Sequence, residues 1–186
     1  MMARVLIPLA DGFEEIEAIT VIDVLRRGGV EAVTASVHDR VEVQGAHGIQ
    51  IKADRRFDEA QHDVYDAIVL PGGGACAETF KRFHPLHERL RRQRDEHRLL
   101  CAICAAPTVL EAAGVLGERT EVTCYPTCRG DLERPWLDVP VIVDGAVITG
   151  QAPGTAMLFA LVILQTLAGE RMARKVAQGM VTDVLD

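Results

Sequence analysis

Cys104 is the residue in this chain best placed for nucleophilic chemistry. It ends an apolar run that begins at Leu99, and such a run predicts a buried parallel strand. Ala105, Ala106 and Pro107 follow, and a proline in the first turn favours the start of a helix. The sulfur is therefore expected on a sharp strand-to-helix turn, a nucleophile elbow with cysteine in place of serine, where helix amides favour the thiolate. A buried structural cysteine is the alternative.

A second candidate group is a carboxyl in the segment 12–17, Gly-Phe-Glu-Glu-Ile-Glu. Acidic residues are ordinary at a helix start because the helix dipole favours them, and this accounts for Glu14 and Glu15. Glu17 lies beside the apolar stripe of the predicted helix, so it can point inward over the end of the sheet towards Cys104. A buried carboxyl tends to keep its proton, and Glu17 would then donate a hydrogen bond to a thiolate and act as a general acid.

The run 71–74, Pro-Gly-Gly-Gly, allows a close approach of backbone to ligand. We expect the amides of Gly73 and Ala105 to form an oxyanion hole. A tight strand-to-helix turn is the alternative. A phosphate-binding loop is not favoured, since no Lys-Ser/Thr pair follows.

The remaining cysteines allow other chemistries. Cys101 and Cys104 match C-x-x-C, but two residues at those positions of a strand lie about 10 Å apart, and a disulfide needs less than about 7 Å. A zinc site formed by these two with Cys124 and Cys128 fits no standard spacing. Cys76 and Cys128 are candidate resolving thiols for Cys104.

The histidines do not suggest a cysteine–histidine dyad, because none lies in the elbow or in the loop 124–128. His47 is expected on an excursion at the sheet edge, where it would reach across a dimer contact. Three others are expected at the surface: His84, His87 and His97.

The predicted elements alternate between strands and helices. Strands are predicted at 4–10, 30–37, 66–70, 98–103, 120–124, 139–143 and 146–149, and helices at 14–27, at about 76–96 with an interruption near Pro85, at 107–113, 153–167 and 170–179. Residues 41–54 are predicted to form an antiparallel excursion, Asp58 to cap a short helix, and Asp144-Gly145 to turn a hairpin. The pattern predicts a mostly parallel, doubly wound α/β sheet with helices on both faces. Loops at 11–17, 71–76, 104–107 and 124–128 should then converge at the carboxyl ends of the strands.

Composition limits the classes of function. The chain has 186 residues, 48% of them hydrophobic, and a net charge of −7, which predicts one domain over 1–186 and no nucleic-acid partner. The arginines of 89–98 alternate with acids and are expected on a solvated helix face. No 18-residue apolar span predicts a membrane helix, the first ten residues do not resemble a leader, and the odd number of cysteines favours a reducing cytoplasm.

Four motifs carry a resemblance to a known family. In chain order they are Gly-Phe-Glu-Glu-Ile-Glu at 12–17, Leu-Pro-Gly-Gly at 70–73, Ala-Ile-Cys-Ala-Ala-Pro at 102–107 and Pro-Gly-Thr at 153–155. Together they resemble the ThiJ/PfpI superfamily, in the branch of the parkinsonism-associated protein deglycase and its bacterial relatives. The resemblance implies a flavodoxin-like three-layer α/β/α sandwich, a homodimer and no cofactor or metal.

The resemblance also implies roles for individual residues. Cys104 corresponds to the reactive, oxidation-sensitive cysteine, Glu17 to the carboxyl that contacts it, and Gly73 and Ala105 to backbone donors near the sulfur. The PfpI-type proteases carry histidine directly after the nucleophile, so Ala105 argues against peptidase activity. We assign the following residues to the surrounding pocket: Gly72, Ala106, Tyr125, Pro126 and Pro153.

Two departures from the family pattern weaken the predicted site. Tyr125 stands where many members of the branch carry a histidine, which leaves proton transfer to Glu17. Gln151 stands where the family carries an arginine, which weakens any anion clamp there.

The predicted function is that of a cofactor-independent enzyme of the glyoxalase III or protein deglycase type. It would act on methylglyoxal or glyoxal, free or added to protein side chains, with Cys104 as nucleophile and Glu17 as proton shuttle. The alternative is an oxidative-stress sensor or redox-dependent chaperone that uses oxidation of Cys104 without turnover. A role in thiamine metabolism has no support in these residues.

Overall fold

The computed structural model describes residues 2–184 and contains a seven-stranded sheet with the order β5-β2-β1-β6-β7-β9-β8. Neighbouring strands run parallel, apart from the antiparallel pair β8 and β9 at one edge. The strands are β1 (Arg4–Leu9), β2 (Glu31–Ser36), β3 (Glu42–Gln44), β4 (Gln50–Lys52), β5 (Arg55–Arg56), β6 (Ala67–Leu70), β7 (Leu99–Ile103), β8 (Val141–Asp144) and β9 (Val147–Gly150). Strands β3 and β4 form a separate antiparallel pair, as the excursion at 41–54 predicted.

Seven α-helices flank the sheet in the described part of the chain. They are α1 (Glu15–Arg27), α2 (Phe57–Ala60), α3 (Gly74–Arg82), α4 (His84–Asp95), α5 (Pro107–Ala112), α6 (Ala156–Ala168) and α7 (Glu170–Gly179). Helices α1, α6 and α7 pack together, and α3 packs with α4 and α5. The predicted three-layer α/β/α sandwich with a mostly parallel sheet is confirmed.

The order of the strands places loops from distant parts of the chain side by side. Strands β1, β6 and β7 are buried along nearly their whole length, as central parallel strands require. The chain moves from β1 outward to β2 and returns to β6 on the opposite side of β1. Open sheets of this kind bind ligands outside the carboxyl ends of their strands, at the point where the winding reverses. The loops after β1, β6 and β7 therefore meet at one edge of the sheet.

The predicted helix over 76–96 is two helices, α3 and α4, which meet at Phe83. The break falls just before Pro85, as predicted, because proline supplies no amide for a continuing helix. The predicted strand at 120–124 is wrong: this segment makes one isolated bridge, between Val122 and Trp136. The backbone of Val122 bonds Pro135 and Leu137 of the following loop and does not pair with a strand of the sheet.

Several local predictions are also corrected. Arg56, not Asp58, occupies the N-cap of α2. His87 is buried, with Nε2 3.0 Å from the carbonyl oxygen of Phe80. Arg89, expected on a solvated face, is buried as well.

The helix predicted to begin at Pro153 starts with one 3-10 turn, Pro153–Thr155, and continues as α6. Within residues 2–184, no helix combines the length and the apolar character needed to cross a membrane.

Candidate active site

The backbone at Cys104 has the strained geometry of a nucleophile elbow. Strand β7 ends at Ile103 and α5 begins at Pro107, and Cys104 between them adopts φ +64°, a left-handed conformation that non-glycine residues rarely take. Its amide donates to the carbonyl of Gly150 at 3.0 Å, and its own carbonyl accepts from the amide of Tyr125 at 2.8 Å. Strain of this kind persists only where neighbouring structure holds it in place. The predicted turn is therefore present, and the residue is 9% exposed.

Glu17 lies beside Cys104 in the interior and has no solvent exposure. Its Oε2 accepts a hydrogen bond from the amide of Gly72 at 2.8 Å. Its Oε1 makes no hydrogen bond among residues 2–184, and the thiol of Cys104 and the charge of Glu14 also act on the carboxyl. Burial raises the pKa of Glu17 to about 7, against the opposing effect of the hydrogen bonds from Cys104 and Gly72. This carboxyl can therefore exchange a proton near neutral pH.

The start of α1 is attached to the loop that follows β6. The side chain of Glu14 caps the helix by accepting from the amide of Glu17 at 2.7 Å, and the amide of Glu14 donates to the carbonyl of Gly72 at 3.1 Å. A Cβ on Gly72 would lie 2.6 Å from Oε2 of Glu17 and 2.8 Å from Cβ of Cys104. Gly72 is thus the point at which the acid and the thiol approach each other.

Gly73 has a conformation that requires glycine. Its φ is +93°, and a Cβ there would lie 2.1 Å from the carbonyl oxygen of Gly12. The amides of Gly73 and Ala105 both interact with the sulfur of Cys104 and lower the pKa of its thiol. The two donors predicted for an oxyanion hole therefore converge on one sulfur.

Opposing effects act on the Cys104 thiol. Burial raises the pKa of the Cys104 thiol above its ordinary value, the negative charge of Glu17 raises it further, and the two amides offset only part of this effect. Glu17 and Cys104 therefore titrate as a coupled pair, in which a charge on Glu17 disfavours a charge on the sulfur.

The other predicted pocket residues differ in placement. Ala106 is buried in the elbow, where its amide donates to the carbonyl of Ile103 at 3.0 Å. The backbone amide of Tyr125 donates to the carbonyl of Cys104, and Tyr125 itself is 42% exposed. Pro126 begins an exposed 3-10 turn, Pro126–Asp131, and Pro153 is half-buried at the turn before α6.

The predicted resolving thiols face other groups. Cys76 is fully buried and bonds the backbone of Ala10, and burial raises the pKa of its thiol to about 12. Cys128 is half-buried and lies near Lys81 and Cys124. The four cysteines of the zinc alternative form no ligand cluster within the described part of the chain.

Sequence reasoning missed a pair next to this site. The carboxylate of Glu15 is buried and accepts from the backbone amide of His47 at 2.6 Å, and the His47 ring Nδ1 lies 2.8 Å from its other oxygen. His47 therefore binds an acid of its own chain. Ligand atoms of Glu14, Glu15 and His47 come within 4.8 Å of one another, where Glu15 bonds His47 and Glu14 accepts from the amide of Glu17. Only the position of Glu15 next to the apolar stripe could have suggested its burial.

Comparison with known proteins places this geometry in a family. The DJ-1/PfpI family matches residues 3–166. Protein DJ-1 homolog B of Arabidopsis thaliana is 38% identical over 96% of this chain, although the chain spans only 41% of that longer protein. Glutathione-independent glyoxalase DJR-1.2 of Caenorhabditis elegans is 38% identical over 90% of this chain and 89% of its own length.

The likeness extends to three dimensions. The crystal structure of Drosophila melanogaster DJ-1beta superimposes with a TM-score of 0.95 at 35% identity and covers 98% of this chain and 100% of that one. The elbow and the acid beside it thus lie in a fold that covers the whole of the Drosophila chain. This chain belongs to the DJ-1/PfpI family.

Proposed function

We propose that this chain is a cofactor-independent enzyme of the glyoxalase III or protein deglycase type. It converts reactive 2-oxoaldehydes such as methylglyoxal and glyoxal, free or already added to protein side chains, to hydroxy acids. The observation that carries the proposal is the pairing of the fully buried Glu17 carboxyl with the Cys104 thiol. The name of the nematode relative, a glutathione-independent glyoxalase, supports the substrate class.

The first step is addition of sulfur to the aldehyde. The Glu17 carboxylate takes the proton of the Cys104 thiol as the sulfur forms a bond to the aldehyde carbon. The carbonyl π electrons move to oxygen, and the amides of Gly73 and Ala105 stabilise that oxygen. Glu17 then gives its proton to this oxygen, which forms a neutral hemithioacetal and restores the carboxylate.

The second step moves a proton between the two carbons of the substrate. Glu17 removes the proton from the carbon that bears sulfur and returns it to the neighbouring carbon through an enediol, so a hydroxyacyl thioester forms on Cys104. Water then adds to this thioester and the C–S bond breaks, which releases lactate from methylglyoxal, or glycolate from glyoxal, and restores the thiol. No external oxidant or reductant is needed because the oxidation of one carbon balances the reduction of the other.

The proposal is tested by measuring D- and L-lactate formed from methylglyoxal. Cys104→Ala is expected to abolish turnover. Glu17→Gln keeps an oxygen acceptor for the Gly72 amide but cannot accept a proton, and we expect a loss of about 10²- to 10⁴-fold in kcat. The same assay on a methylglyoxal-treated peptide measures removal of side-chain adducts.

Cys101→Ala is the matched control, because Cys101 is buried in β7 three residues before the elbow. It is expected to keep the wild-type rate. Equal rates in Cys104→Ala, Glu17→Gln and wild type would reject the proposal.

The second candidate function is an oxidation sensor or redox-dependent chaperone. The same two amides that would hold an oxyanion are placed to bind the oxygens of a Cys104 sulfinate. Peroxide titration followed by mass spectrometry distinguishes this function: equal oxidation of all five cysteines would exclude a sensor role for Cys104.

A homodimer is the assembly that we propose for either function, with the cytoplasm as the compartment. The exposed side chains of Ile16, Ile19 and Ile49 lie on α1 and next to β4, and they support a partner on this face. Sedimentation analysis of wild type and Ile16→Asp tests this assembly, and an unchanged molecular mass would contradict the choice of face.

A further inference from the structure

Two cysteines outside the elbow lie together in the loop that covers it. Cys124 has no solvent exposure, and its Sγ lies 3.3 Å from the carbonyl oxygen of Tyr125. The amide of Cys128 donates to that same oxygen at 2.8 Å. One acceptor therefore holds the sulfur of the first cysteine and the backbone of the second, so the two residues are immediate neighbours.

The surroundings of the pair provide both access and a spectroscopic reporter. Cys128 is half-buried at the surface, in a 3-10 helix of 6 residues. The buried indole N–H of Trp136 makes no hydrogen bond within residues 2–184, and Trp136 lies close enough to Cys124 to lower the pKa of its thiol, which burial raises. Trp136 is the single tryptophan of the chain.

We propose that Cys124 and Cys128 form a reversible dithiol–disulfide pair, oxidised by hydrogen peroxide, that is separate from the chemistry of Cys104. This modification site does not depend on the proposed aldehyde chemistry.

The oxidation proceeds in two balanced steps. The accessible Cys128 sulfur attacks one peroxide oxygen, the O–O bond breaks, and a sulfenic acid and one water form. The Cys124 sulfur then attacks the sulfenic sulfur, the S–S bond forms, the S–O bond breaks and a second water leaves. Two thiols lose two electrons and two protons, and peroxide is reduced to two waters.

The modification would act on the loop that holds the elbow. The amide of Tyr125 bonds the carbonyl of Cys104, and the carbonyl of Tyr125 bonds both members of the pair. Disulfide formation removes the S–H donor to that carbonyl, so the same residue connects the two sulfur sites.

Trypsin separates the two sites without ambiguity. Cleavage after Arg119 and Arg129 releases residues 120–129, which contain both cysteines of the pair. Cys101 and Cys104 lie in a different peptide, 99–119, and Cys76 lies in 57–81. A disulfide within the pair lowers the mass of peptide 120–129 by two hydrogens, whereas a disulfide to Cys104 or Cys76 joins two peptides.

The test is peroxide treatment of the wild-type chain, followed by blocking of free thiols and digestion without reductant. The expected result is peptide 120–129 lighter by two hydrogens and restored to its original mass by dithiothreitol. Trp136 fluorescence is expected to change in parallel and to return on reduction. Cys128→Ser should lose the fluorescence change, and Cys101→Ser and Cys104→Ala should keep it.

Three results would overturn the proposal. One is a pair that stays reduced at peroxide concentrations that oxidise Cys104. Another is a cross-link between peptides 120–129 and 99–119. The third is a sulfinic or sulfonic acid on Cys128 with Cys124 still free.

Discussion

The protonation of Glu17 should be visible in the stability of the protein as well as in its activity. The carboxyl is fully buried, and its pKa is raised from 4.5 to about 7. Between these two values the folded chain holds a proton at Glu17 that the unfolded chain has released. The free energy of unfolding therefore falls as the pH rises through this window and levels off above about pH 7.

The size of this effect follows from the shift in pKa. A shift from 4.5 to about 7 corresponds to about 3 kcal/mol of unfolding free energy lost between acid and mildly alkaline pH. Glu17→Gln removes the titrating group and keeps its shape. We therefore expect the stability of Glu17→Gln relative to wild type to rise by about 3 kcal/mol from pH 4.5 to pH 8, although the variant loses activity.

Urea unfolding followed by circular dichroism at several pH values measures this difference. Glu118→Gln is the control, because Glu118 is exposed and its replacement should leave a nearly constant difference from wild type. Repeating the Glu17→Gln comparison in a Cys104→Ala background removes proton exchange with the thiol. The difference in unfolding free energy should still rise with pH. A Glu17→Gln difference that does not change with pH, or that falls as the pH rises, would refute the burial argument.

Two further substitutions test the contacts around the site. Gly72→Ala places a methyl group 2.8 Å from Cβ of Cys104, and we expect at least about a tenfold loss of kcat/KM, since small displacements of reacting groups are costly. Gly74→Ala is the control and should be active, because an added Cβ there meets nothing within 4 Å. Equal rates for Gly72→Ala and Gly74→Ala would contradict the predicted crowding. His47→Ala removes the ring partner of the buried Glu15 carboxylate. In the wild type this carboxylate raises the pKa of His47, and the hydrogen bonds from His47 help to lower the pKa of Glu15. The ion pair stabilises the fold while both groups are charged. The loss of unfolding free energy in His47→Ala should therefore be largest near pH 6 and shrink as the pH rises through the raised pKa of His47. Urea unfolding measures this loss, and a constant value from pH 6 to pH 9 would be the contrary result.

The central fold was predictable because its signals are local. The apolar run before Cys104, the glycines after β6 and the helical spacing in α1 each specify one element, and right-handed parallel connections then bring the loops to one edge. The segment at 120–124 was mispredicted for the opposite reason. Its composition favours a strand, but pairing depends on the tertiary partner, and Val122 bridges to Trp136 of a later loop, outside the sheet.

The burial of His87 and Arg89 in α4 also could not be predicted from the local sequence. His87 and Arg89 are polar residues in a charged sequence, and their burial depends on the packing of α4 against the sheet. The bond between His47 and Glu15 joins residues 32 positions apart, and no local pattern specifies such a contact.

The position of Cys104 on the turn and the acid beside it followed from residue types and spacing, because a strand-to-helix elbow is encoded within a few consecutive residues. The charge on the sulfur did not. The amides that favour the thiolate are local, but the desolvation and the facing carboxylate that outweigh them come from β7, α1 and the loop after β6 together. Whether a group is ionised depends on everything packed around it, and that packing exists only once the chain has folded.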